Sequence, residues 1–184
     1  NLVIEPGTVL PPTAITPEAC RDLLKYIAPV LADATEVRGD FSIELDRWRL
    51  PLADPTQGEG SGRLVISSLD VGPGPLVGEL AKVLRVPPEF LVVEDTPITF
   101  RMVDGRIHHS ETTFRIGGLT VHTHGSVGVD GSLALVADVP MPEHLLGDGP
   151  VATALVGQTL SIPVVGTLSQ PKIDGTALGQ SGMD

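Results

Sequence analysis

Apolar and polar positions alternate from residue 37 to 46, with Val37, Phe41, Ile43 and Leu45 on one side and Arg38, Asp40, Ser42, Glu44 and Asp46 on the other. A period of two predicts a half-buried strand. The sides then exchange, because Trp48, Leu50 and Leu52 carry the apolar face onward. That exchange predicts a bulge or strong twist near Asp46 and Arg47, since an unbroken run would far exceed the usual strand of about six residues. Leu2, Val3 and Ile4 are also strand-like. The glycine-rich stretch 57–62 predicts a hairpin connection into a strand over 63–71.

Two stretches carry the helical period instead. Thr16 can cap, Pro17 suits the first helical position, and Glu18 complements the positive helix end. Cys20, Leu23, Leu24, Ile27 and Leu31 then recur every three or four residues, and Pro29 should kink or split this helix. Leu76, Val77, Leu80, Val83 and Leu84 predict a second amphipathic helix that stops before Pro87 and Pro88.

The stretch 96–139 reads as a meander. Strands are expected at 98–103, up to Ile116, at 119–127 and at 132–139, with turns at Asp104-Gly105, Gly117-Gly118 and Asp130-Gly131. A third helical segment is expected near 142–156, then a strand at 159–168, a short edge piece at 170–173, and a flexible tail at 175–184. The pattern predicts an α+β fold: a strongly twisted, mostly antiparallel β-sheet, meander plus helix–strand units, with two or three amphipathic helices packed on one face.

At 184 residues and 41% hydrophobic content the chain suits a single domain, and its start at Asn1 reads as a fragment of a larger protein. No stretch approaches the roughly 20 apolar residues that span a bilayer, so no transmembrane segment is expected. A net charge of −11 argues against nucleic acid as a partner. Aromatic residues make up only 3%, leaving few rings to stack bases or sugars. Cys20, the one cysteine, can form neither an internal disulfide nor a zinc cluster by itself.

No catalytic set emerges, and a non-enzymatic protein without cofactors is expected. The segment His124-Gly125-Ser126-Val127-Gly128 lacks the first glycine of an esterase elbow and lies in a strand. The glycines at 58–62 and 72–74 lack the Lys-Ser/Thr ending of a phosphate loop. Arg38-Gly39-Asp40 opens a strand instead of tipping a loop, and Glu94-Asp95 needs no more than a solvated turn. Pairing across Gly117-Gly118 sets Thr113 opposite His122 and Glu111 opposite His124, with His109 further along the same face. Imidazole and carboxylate are zinc donors, but the wet side of an antiparallel sheet is the stronger account of His109, Glu111, His122 and His124, and no metal is expected. Because Ile107 is out of phase with Phe114, a bulge near His108 and His109 is expected.

Three stretches together resemble a known family. They are Leu24-Lys25-Tyr26-Ile27-Ala28-Pro29-Val30-Leu31-Ala32 leading into Gly39-Asp40-Phe41-Ser42-Ile43-Glu44-Leu45, then Gly125-Ser126-Val127-Gly128-Val129-Asp130-Gly131-Ser132-Leu133, and Leu160-Ser161-Ile162-Pro163-Val164-Val165-Gly166-Thr167-Leu168-Ser169-Gln170-Pro171. The later motifs resemble the C-terminal region of AsmA-like bacterial cell-envelope proteins. The resemblance implies a periplasmic or envelope location, a parent protein anchored in the inner membrane, and a β-groove that shields or transfers lipid acyl chains or assists outer-membrane assembly. The expected partners are phospholipid acyl chains and neighbouring segments of the parent chain.

Aliphatic walls suffice for such a role. Burial of CH₂ groups at about 0.8 kcal/mol each gives an acyl chain on the order of 10 kcal/mol before ordering costs. Phe41, Ile43, Phe100, Phe114, Leu119, Val121, Ile162 and Val164 are the candidate walls. An ordinary closed core, or a structural and protein-interaction module with no ligand, uses the same residues.

Overall fold

The computed structural model describes residues 2–34, 36–89, 91–93, 97–142, 145 and 157–174. The fold is α+β. Among the described residues there are twelve strands: β1 (Leu2–Ile4), β2 (Gly7–Ala14), β3 (Val37–Leu45), β4 (Trp48–Leu50), β5 (Gly60–Val71), β6 (Leu91–Val93), β7 (Ile98–Val103), β8 (Arg106–Ile116), β9 (Leu119–Gly128), β10 (Leu133–Pro140), β11 (Thr159–Gly166) and β12 (Pro171–Ile173). Ten of them form one antiparallel sheet in the order β12-β11-β10-β9-β8-β6-β5-β3-β2, with β7 also lying between β5 and β8. β6 and β7 thus share one position, β6 pairing with the Leu69–Val71 end of β5 and β7 with its Gly60–Leu64 end. β1 and β4 make a separate two-stranded ribbon.

The break expected at Asp46 and Arg47 is present, but the strand after it leaves the sheet. Trp48–Leu50 pairs with Leu2–Ile4 instead of extending β3. Gly60, Ser61 and Gly62 also differ from expectation, opening β5 instead of forming a turn. Gly60 is needed there because a Cβ would collide with the Trp48 ring. Trp48 packs on Phe100 with ring centroids 6.2 Å apart, and its indole N–H donates to the Ser61 carbonyl at 2.7 Å.

The first helix is built in three pieces: Pro17–Ala19, a π-type stretch Cys20–Leu24, and Lys25–Ile27, followed by the 3₁₀ turn Pro29–Leu31. Thr16 caps it, its hydroxyl accepting from the Ala19 N–H at 3.2 Å. The π spacing holds an extra residue per turn, and it corrects the expected apolar stripe. Cys20, Leu24, Ile27 and Leu31 are buried, whereas Leu23 is 39% exposed. The second helix, Pro75–Leu84, buries Leu76, Val77, Leu80, Ala81 and Leu84 and ends at Arg85 in the left-handed region, φ 54°.

The core lies between these helices and one face of the sheet. Phe41, Ile43, Leu64, Ile66, Ile98, Phe100, Phe114, Ile116, Val121, Val127, Leu135, Ala137, Ile162 and Val164 belong to it. The expected third helix and the tail at 175–184 lie outside the described residues, apart from Pro142 and Leu145, as does the Glu94-Asp95 turn. No described helix is long and apolar enough to cross a membrane.

Candidate functional site

The alternation divides the sheet into an aliphatic face and a polar one. On the aliphatic face Phe114 stands opposite Val121, Ile162 opposite Ala137, and Val164 opposite Leu135, on three separate rungs of the sheet. Seven of the eight candidate walls, Phe41, Ile43, Phe100, Phe114, Val121, Ile162 and Val164, are at most 5% exposed. Leu119 is half-buried against the same core. The face is therefore filled by the helices, as a closed core is.

One concavity opens over β2, β3, β5, β7 and β8, where Leu45, Phe100 and His109 line it beside a polar row. A trough of about 830 Å³ is lined by Thr8, Glu44, Arg63, Thr99, Arg101, His108 and Ser110, among others. Strand pairing aligns Thr8 with Glu44, Glu44 with Arg63, and Arg63 with Thr99, so one polar row crosses four strands. Arg63 Nη2 lies 3.5 Å from Glu44 Oε2, and the Ser61 hydroxyl donates to Asp46 at 2.6 Å. Such exposed ion pairs are worth at most about 1 kcal/mol. Neither trough nor ion pairs were visible in the alternation, which marks these positions as polar without showing that the sheet curls around them.

Further along the polar face lies a second cluster. The Thr113 hydroxyl is 2.9 Å from His122 Nδ1, and Glu111 Oε1 is 3.2 Å from the same nitrogen. His124 Nδ1 is 3.4 Å from Asp138 Oδ2, whose other oxygen accepts from the Ser161 hydroxyl at 2.5 Å. Each imidazole therefore has a carboxylate within ion-pair distance. Asp138 and Ser161 come from strands that sequence reasoning did not connect to the histidines; the register Asp138 opposite His122 and Ser161 opposite Asp138 makes the link.

The expected positions of Glu111 and His109 require correction. The β8–β9 ladder shifts register between His109 and Thr112, so Ser110 and Glu111 form a bulge and Glu111 reaches His122 instead of standing opposite His124. The bulge also flips the phase: His109 pairs with Phe100 and Gly125 on the aliphatic face, where it is 6% exposed. The four candidates do not converge, and among the described residues no three of His, Cys, Asp or Glu are grouped to hold a metal ion.

Burial leaves His109 poorly served. Its Nδ1–H donates to the Ser110 carbonyl at 3.0 Å, while Nε2 and the nearby Thr112 hydroxyl oxygen have no partner among the described residues. Burial chiefly lowers the His109 pKa, against the Ser110 hydrogen bond, with His124 and His108 lowering it further. The Ser126 hydroxyl accepts from Arg106 Nε at 2.9 Å. Burial raises the Cys20 thiol to about 11, so it stays protonated. The chain matches no family model, no curated protein and no solved structure.

Proposed function

We propose that the domain is a non-enzymatic sheet module of a larger AsmA-like cell-envelope protein, working through its strand edges and not through its aliphatic face. One observation carries this: strand order follows chain order across the sheet, so the earliest strand, β2, and the latest, β12, are its two edges. Neighbouring segments of a parent chain would then add as further strands, exchanging main-chain hydrogen bonds at either side. Pro11 and Pro12 in β2 and the three-residue length of β12 restrict indiscriminate pairing, as edges in natural sheets do. The envelope location, with the parent protein held at the inner membrane, rests on the strand motifs ending in Gly166-Thr167-Leu168 and Gln170-Pro171.

A second reading, lipid shielding, is favoured by the aliphatic side chains on one face of the sheet, Phe41 and Val164 among them, which belong to one cluster. It requires the helices to leave that face, since an acyl chain needs an open apolar surface. Native mass spectrometry and light scattering of the gently purified chain over a concentration series separate the two. Reversible, lipid-free association that weakens in Val9→Lys, a change on the exposed β2 edge, is the expected result. A lipid-laden monomer, lost in a folded Phe114→Asp variant, would instead establish the lipid reading, and a lipid-free monomer at every concentration would defeat the edge reading.

A further inference from the structure

We propose that a second concavity, bordered by β4, β5 and β7, binds the phosphate group of a phosphate monoester through Arg49 and Arg101. It measures about 510 Å³ and is lined by Arg47, Arg49, Glu59, Ser61 and Arg101, among others. The strand register brings them there. Arg49 stands opposite Glu59, exchanging two main-chain hydrogen bonds with it at 2.8 and 3.0 Å, and Arg101 stands opposite Ser61. Glu59 and Ser61, two residues apart, project to the same side. Arg49 and Arg101 thus flank β5, with Cα atoms about 12 Å apart from two strand spacings across and two residues along. Both side chains line the one space between.

The charge balance points to an anion. The chain carries 23 acidic residues against 12 basic ones, so its arginines have carboxylates in excess. Arg47 is paired with Glu5 at 3.1 Å and Arg63 with Glu44 at 3.5 Å. Arg49 and Arg101 are exposed and have no side-chain partner among the described residues, although Glu59 stands beside Arg49. Two guanidinium groups left open on one concavity supply the forked N–H donors that recognise oxyanions. Their two charges match the nearly two that a phosphate monoester carries at neutral pH.

The larger trough supplies room for the rest of the molecule. Ser61 and Arg101 line both concavities, so the two adjoin there. Leu45 and Phe100 give the trough apolar surface, and its volume of about 830 Å³ falls within the range of small-molecule sites.

Phenyl phosphate titrated into the ¹⁵N-labelled full chain, followed through backbone amides and arginine Nε–H resonances, tests the site. The expected result is saturable binding of one molecule that shifts Arg49, Ser61 and Arg101. Arg101→Gln, judged folded from its amide spectrum, should weaken binding about 10-fold or more, as loss of a charged hydrogen bond does. Arg115→Gln, at an exposed arginine elsewhere, should leave it unchanged, and Glu59→Gln should tighten it by removing a like charge. Sedimentation with phosphatidylcholine vesicles, with and without phosphatidic acid, distinguishes the sources of the phosphate. Capture that needs both phosphatidic acid and Arg101 assigns the site to a lipid headgroup; phenyl phosphate binding without capture assigns it to a soluble monoester. Binding that survives Arg101→Gln, equal binding of benzoate, or neither saturable shifts nor vesicle capture would overturn the proposal.

Discussion

Thr112 and His109 illustrate what a single buried polar atom does to this sheet. The Thr112 hydroxyl is 3% exposed and unpartnered among the described residues, and an unsatisfied buried group costs about 1–3 kcal/mol. Thr112→Val keeps the shape and removes the group, so it should raise stability by about 1 kcal/mol, read as a higher urea midpoint at unchanged slope. His109 has a pH signature. Its pKa is lowered in the fold, chiefly by burial, so below its unfolded value of about 6.5 the unfolded chain takes up the proton more readily. Its contribution is intact above about pH 6.5 and is lost as the pH falls through that value toward the lower folded one. Urea titrations across that window should show a shallower loss on acidification in His109→Leu than in the parent chain.

Elements were legible where each residue faces either core or water. β3, β7, β10 and β11 alternate cleanly, and the second helix shows its apolar stripe. β2 escaped because nearly every residue of an edge strand with Pro11 and Pro12 is exposed, leaving no alternation to read. β6 is three residues long and too short to carry a period. The polar cluster was legible in part: Thr113 opposite His122 follows from the Gly117-Gly118 turn. The bulge at Ser110 and Glu111 defeats the rest, because one extra residue exchanges the faces of everything before it. The second helix carries its own prediction. Arg85 ends it with φ 54°, a conformation that glycine adopts freely and other residues at a cost. Arg85→Gly should therefore stabilise the fold by about 0.5–1 kcal/mol, measured as a raised thermal midpoint.

At the scale of the whole molecule, the two faces of the sheet have separate roles. The aliphatic one is occupied by the helices, which makes the hydrophobic core its main use; the polar one carries the histidine pair and the exposed ion pairs. Chemistry at the polar face can therefore vary without repacking the interior. Ala137 and Thr123, one residue away from Asp138 and His124 on the same strands, are buried.

The sequential strand order also bears on how the sheet transmits load. Tension applied between β2 and β12 passes through each ladder in series, as through links of a chain, so the assembly resists no better than its weakest join. That join is at the β12 side, where three residue pairs hold β12 to β11, against eight between β3 and β5. Under pull the sheet would fray from one border while its middle stayed whole.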